Sequence, residues 1–163
     1  SLPEVIKIQR EIFRDHRGVN IDVYDEQEYF NAGIKPKFVQ NNYSTSVKNV
    51  LRGLHGDDRT FKLICCTLGS FVLVVVNYVK GSPYFGKWEK FTLTDDNGLQ
   101  ILVPPYHLNG HLILSDMATF FYNQSSHYTG AKSQWSVRWN DSRFNISWPT
   151  KNPILSARDR GDT

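Results

Sequence analysis

An all-β fold of two packed antiparallel sheets, a double-stranded jelly roll, is what this sequence predicts, and three observations carry the prediction. β-forming residues recur in about eleven short segments, turn signals separate most of them, and only Asp25 to Ala32 has the pattern of a helix. Parallel strands would need helical crossovers, which the pattern lacks, so a sandwich or jelly roll is favoured over an α/β layout.

In order, the segments are Val5 to Gln9, Val19 to Tyr24, Phe38 to Ser46, Val50 to Leu54, Phe61 to Thr67 and Phe71 to Tyr78. Trp88 to Thr94, Leu99 to Val103, Leu112 to Leu114, Ala118 to Asn123 and Gln134 to Trp139 follow. Turns are expected at 15–18, at Gly69-Ser70, at 81–83, at 95–98 and at Pro104-Pro105, with Asn97-Gly98 a strong hairpin signal. The Pro-punctuated stretch 148–156 is expected to pack on the barrel before a charged tail, Arg158 to Asp162, frays.

Composition bounds the function. A chain of 163 residues, 40% hydrophobic and 21% charged, is expected to form one globular domain over residues 1–163. Nineteen Lys and Arg against 16 Asp and Glu leave a net charge of +3 with no basic block, which argues against a nucleic-acid surface. The longest apolar run, Phe71 to Val76, is too short to span a bilayer, and the first residues carry no signal-like core, so a cytoplasmic location is expected. Cys65 and Cys66 are adjacent on a strand, point to opposite faces and are read as buried thiols without a disulfide.

The chemistry concentrates in residues 51–63. Arg52, His55 and Lys62 lie in two β segments separated by a Gly-Asp-Asp-Arg turn, and a hairpin there would gather two cations and an imidazole in one pocket. Imidazole titrates near working pH and the cations hold charge, so the trio suits proton abstraction beside an anionic substrate. An ordinary solvated hairpin tip is the competing reading of these three residues alone. The five histidines include no closely spaced pair with a carboxylate, and His107 and His111 fall in what reads as a loop, so no metal is expected. No nucleophile elbow, phosphate-binding loop or dinucleotide fingerprint is present.

Nearly the whole chain resembles the cupin-fold nucleotide-sugar epimerases typified by dTDP-4-dehydrorhamnose 3,5-epimerase. The resemblance is carried in order by 13–18 (FRDHRG), 40–46 (QNNYSTS), 51–55 (LRGLH), Lys62-Leu63, 81–88 (GSPYFGKW), Pro104-Pro105, Leu114-Ser115 and Tyr122. Further on it is carried by 139–141 (WND), 146–149 (ISWP) and Leu155-Ser156. It implies a cupin jelly-roll homodimer, needing neither metal nor organic cofactor, that removes protons beside a C4 ketone and returns them to the opposite face. It places His55 as general base, Asp141 as the carboxylate orienting it, Tyr122 as the acid and Lys62 as the cation at the enolate oxygen. It also places Arg52 on the diphosphate, Arg17 in the partner's nucleotide site, and Gln40, Asn42, Ser44, Asn77, Asn109 and His111 among the residues around the substrate.

The chain departs from the commoner dTDP pattern at several positions. Asn20 and Asp22 stand where an aromatic residue and a Glu help hold thymine, Asn109 where a His is usual, and Asn77 where an Asp is usual. Residues 55–63 and the pattern of 104–111 resemble the branch acting on GDP-linked 4-keto-heptoses in surface-polysaccharide pathways, such as capsule synthesis. The leading expectation is therefore a 3,5-epimerase of a GDP-4-keto-heptose, or one acting at C3 alone. The alternatives are a dTDP-4-keto-6-deoxyhexose 3,5-epimerase, a 3,4-ketoisomerase, and a sugar-binding module without turnover.

Overall fold

The computed structural model describes residues 1–162. Its strands are β1 (Ile6–Gln9), β2 (Phe13–Asp15), β3 (Gly18–Asn20), β4 (Gln40–Val47), β5 (Leu51–Gly56), β6 (Lys62–Leu68) and β7 (Ser70–Asn77). They continue with β8 (Trp88–Thr94), β9 (Leu99–Val103), β10 (His107–Ile113), β11 (Met117–Gln124) and β12 (Trp135–Ser136). Helix α1 (Glu26–Asn31) begins at the expected place because Asp25 caps it, its carboxylate accepting from the Glu28 N–H at 2.8 Å.

Two five-stranded antiparallel sheets, β1-β9-β6-β11-β4 and β12-β5-β10-β7-β8, form the jelly roll, and β2 and β3 make a separate hairpin. From β4 to β12, only β7 and β8 are consecutive strands that pair with each other; every other step switches sheets. Two expectations are corrected by this. The segments around residues 56–61 do not form a hairpin, since β5 and β6 belong to opposite sheets, and Asn97-Gly98 links β8 to β9 across the sandwich without a ladder between them. A short polar connection is equally compatible with a hairpin and a sheet switch, and burial of both flanking strands on the shared interior decides for the switch.

The interior between the sheets is filled by alternate residues, among them Ile64, Cys66, Phe71, Leu73, Val75, Ile101, Val103, Ala118 and Phe120. One outer face is covered by α1, with Tyr29 and Ile34 packed on Leu63 and Leu102. The other is covered by residues 137–148, which bring Phe144, Ile146 and Trp148 onto Leu54, Val74 and Leu108. Cys65 and Cys66 do face opposite ways, are free, and are held as thiols by burial that pushes each up to about 12.

Two further expectations fail at the ends of elements. The stretch read as a loop at 107–111 is the start of β10, a central strand whose polar residues face the interior. The first three residues of the tail read as fraying, Arg158 to Asp162, belong to helix α2 (Ala157–Arg160), capped by Ser156 and closed by Gly161 in the left-handed region at φ 78°. The segment before it does pack on the barrel, with Leu51 N–H donating to Ile154 O at 3.0 Å.

Candidate active site

A cavity of about 420 Å³ opens between the sheets, and strands from both supply its walls. β5 contributes Arg52 and His55, β6 Lys62, β10 Asn109 and His111, β11 Phe120 and Tyr122, and β4 Asn42, Tyr43 and Ser44. Eight of the sequence-predicted residues thus converge on one space.

Arg52 and His55 reach it together only because β5 is irregular. Strict alternation would turn residues three apart to opposite faces. The β5–β10 register shifts instead: Asn109 lies opposite His55 and His111 opposite Arg52, so two residues of β5 stand against one of β10. This bulge re-aims the strand. Gly53 makes it feasible, with φ 118° and an approach so close that a Cβ would lie 2.6 Å from Gly110 Cα.

His55 Nε2 lies 2.7 Å from Asp159 Oδ1, and this corrects the partner expected from the sequence. Asp141 is bound instead to Arg143, whose Nη2 donates to it at 2.8 Å, and it does not line the cavity. Asp159 is 6% exposed. Burial alone would raise its carboxyl, but hydrogen bonds from His55, Ser156 and the Gly53 N–H outweigh burial and hold it below the usual carboxylate range. Its position follows from α2, where Ser156 and Asp159 form a capping pair three residues apart; that spacing was the overlooked sequence signal.

Lys62 comes from the opposite sheet and is 8% exposed. Its Nζ donates to Asn109 Oδ1 at 3.3 Å and sits 5.9 Å from the centre of the Tyr122 ring. Burial lowers its pKa to about 8, with Asp57 opposing and Arg158 adding to the fall. Tyr122 is shifted the other way, chiefly by burial and further by Tyr128, which keeps the phenol protonated. His111 stacks on Phe120, ring centres 3.9 Å apart, and burial plus the nearby Arg52 push it down to about 3, so it is a neutral imidazole.

Besides Asp141, three predicted residues lie outside the cavity. Asn77 faces the interior beyond the cavity, where its Nδ2 meets His107 Nε2 at 3.2 Å and its Oδ1 accepts the Val79 N–H. Gln40 stands behind the wall and braces it, bonding Asn42 Oδ1 and the Tyr128 N–H. Arg17 is on the β2–β3 hairpin, paired with Asp15. Besides Asp159, sequence reasoning missed Tyr43, Phe120, Tyr128, Gln134, Ser156 and Arg158 as lining residues.

The chemistry available is that of a carboxylate–imidazole dyad facing a buried ammonium and a protonated phenol across a small cavity. Among the described residues, Asn42 Nδ2 and Arg158 Nη2 are buried donors without hydrogen-bond partners, a state that invites acceptor oxygens from a ligand, and His111 Nε2 is likewise buried and unpartnered. Arg52, Lys62 and Arg158 against the single Asp159 carboxylate give a positive wall suited to an anionic one. Among the described residues no group of three metal-ligating side chains is found, and no helix is long and apolar enough to cross a membrane.

Comparison with known proteins places this arrangement. The family model described as dTDP-4-dehydrorhamnose 3,5-epimerase matches residues 1–163. The dTDP-4-dehydrorhamnose 3,5-epimerase of Shigella flexneri is 36% identical over 98% of this chain and 90% of its own length. The dTDP-4-dehydrorhamnose 3-epimerase of Streptomyces niveus is 35% identical over 90% of this chain and 72% of its own. The crystal structure of dTDP-6-deoxy-D-glucose-3,5-epimerase from Legionella pneumophila, in complex with dTDP-4-keto-L-rhamnose, superposes with a TM-score of 0.92 at 33% identity. That match covers 98% of this chain and 87% of the other. The jelly roll described above is thus the cupin fold, and the chain belongs to the dTDP-4-dehydrorhamnose 3,5-epimerase family of isomerases.

Proposed function

We propose that this chain epimerises a nucleotide-diphosphate 4-keto sugar by removing and returning protons beside the ketone. The observation that carries the proposal is the His55–Asp159 dyad on one wall of a cavity whose other wall presents Lys62 and Tyr122. A proton α to a ketone is too weakly acidic for free imidazole, so the base must act together with charge at the developing oxyanion. His55 takes the proton from C3 or C5 on its free ring nitrogen, the electron pair moves onto the C4 oxygen beside Lys62, and Asp159 stabilises the imidazolium. Tyr122 then gives a proton to the opposite face of the same carbon, and the resulting phenolate is neutralised from solvent as the imidazolium is discharged. Arg52 grips the diphosphate, a role supported by its guanidinium lining the cavity.

The names of the relatives favour a dTDP-4-keto-6-deoxyhexose as the substrate. The GDP-4-keto-heptose reading rests on residues 55–63 and the pattern of 104–111 and has no counterpart in those names. Inversion at both C3 and C5 is the reading most relatives support, and the Streptomyces niveus protein is the precedent for C3 alone. We further propose a homodimer in the cytoplasm. The β2–β3 hairpin leaves Phe13 and Val19 about half exposed, at 53% and 51%, and a partner covering them would receive Arg17 at its nucleotide site. Incubating dTDP- and GDP-linked 4-keto sugars in heavy water, and reading exchange at each carbon, tests the activity and separates the substrates. No exchange on any member would overturn the proposal.

A further inference from the structure

Lys62 is an unusual buried cation. Its ammonium is nearly out of solvent, and among the described residues no carboxylate lies within ion-pair distance of it. The contacts that receive it are the Asn109 carboxamide oxygen, at 3.3 Å, and the face of Tyr122. Asn109 is itself held firmly. It is 8% exposed, lies opposite His55 on one side of β10 and opposite Val75 on the other, and its backbone oxygen packs against Gly53 closely enough to exclude a Cβ there.

We propose that Asn109 is a positioning residue whose neutral carboxamide fixes the Lys62 ammonium at the reacting centre without neutralising it. The inference rests on the reading of Lys62 as the cation beside the enolate oxygen. An ammonium already paired with a carboxylate has part of its field cancelled before the oxyanion forms, whereas one held by an amide dipole keeps its full charge for the transition state. The cost is that a dipole compensates burial only partly, which agrees with the low affinity of Lys62 for its proton. Asn109 also sets direction: it bridges the strand beside the base to the strand of the cation, so His55 and Lys62 are located relative to one another through it.

Other ionisable groups bear on Lys62 and must move little for the test to be clean. Arg52 and His55 face it from β5, His111 from β10, Tyr122 from β11, Tyr128 from the following loop, Arg158 and Asp159 from α2, and Asp57 from the β5–β6 connection. Substitutions at 109 leave the chemical identity of all of these unchanged.

The test is a titration of Lys62 in the whole, substrate-free protein by NMR of lysine labelled with ¹³C at Cε, the Lys62 signal being the one lost in Lys62→Met. Asn109→Asp, nearly isosteric, should raise its midpoint by about 1 pH unit or more, as an opposite charge at contact does. Asn109→Leu, which removes the acceptor, should lower it. With substrate, Asn109→Asp should reduce kcat about tenfold or more with little change in KM, because the lost interaction belongs to the transition state. Midpoints that stay at the wild-type value, or that move in the same direction in both variants, overturn the proposal, and should Asn109→Leu not fold, an unmoved midpoint in Asn109→Asp does so alone. A raised KM with unchanged kcat would make Asn109 a substrate contact instead and equally overturn it. The titration needs no turnover, so absence of exchange on every sugar would sink the reading of the activity without being mistaken for failure at Asn109.

Discussion

Asp159 reaches His55 across 104 residues of chain, with 2.7 Å between carboxylate and imidazole. Asp159→Asn keeps the shape and removes the charge that orients the base and stabilises its protonated form. We expect it to lower solvent-deuterium exchange about a hundredfold or more, approaching His55→Ala, for which the expected loss is above about a thousandfold at both C3 and C5. Asp141→Asn, which touches only the partly exposed Arg143 pair, should stay within about twofold of wild type. Equal losses in the two aspartate variants would refute the dyad.

Lys62 links activity, stability and pH. It holds its proton to an ordinary 10.5 in the unfolded chain but only to about 8 in the fold. Between those values the unfolded chain binds the extra proton, so this residue makes stability rise with pH across that window; below about 8 both states are charged and the fold bears the full cost of the buried ammonium. Lys62→Met should therefore raise the melting temperature at pH 7, with the gain shrinking between pH 8 and 10.5, while abolishing turnover. In the wild type, kcat/KM should decline above about pH 8 as the cation is lost. A Met variant no more stable than wild type at pH 7 would contradict the first expectation.

Tyr122→Phe separates the two halves of the reaction. If the phenol supplies the returning proton, the variant still forms the enolate and His55 returns a solvent-exchanged proton to the face it came from. Deuterium then enters with retained configuration, and wash-in should exceed inversion by about tenfold or more. Inverted product at near the wild-type rate would remove Tyr122 from the acid role.

The β2–β3 hairpin gives a prediction about assembly. Light scattering at micromolar concentration should report a dimer, and Phe13→Asp with Val19→Asp should yield monomers with weakened nucleotide binding, since Arg17 would no longer reach a partner. A fully active monomeric wild type would rule this out.

Much of this site was legible from the residues. The interior alternation of Lys62, Ile64 and Cys66, and of Ala118, Phe120 and Tyr122, follows from strand period alone, and the helix at 26–31 from one capping Asp. What was not legible depended on relations between distant parts. Whether β5 and β6 pair or face one another is decided by the whole sandwich, not by the four residues between them. His107 to His111 read as a loop because they follow Pro104-Pro105 and bracket Asn109-Gly110, whereas in the fold they form a central strand whose polar side chains line a cavity or bond one another. The resemblance points to Asp141 through the Trp139-Asn-Asp141 motif, and nothing in it points to Asp159. The Ser156–Asp159 capping spacing was readable, but its target, 104 residues away, was not.

The alternation of strands between sheets has a consequence for the dimensions of the site. His55 and Lys62 stand on opposite walls, and the thickness of the sandwich between those walls is set by side chains such as Phe71 and Phe120, neither of which belongs to the proton-transfer machinery. The gap between base and cation is therefore a property of core volume, adjustable in small steps by exchanging one apolar residue for another. Such an exchange would alter the width of the cavity while leaving His55 and Lys62 themselves unchanged.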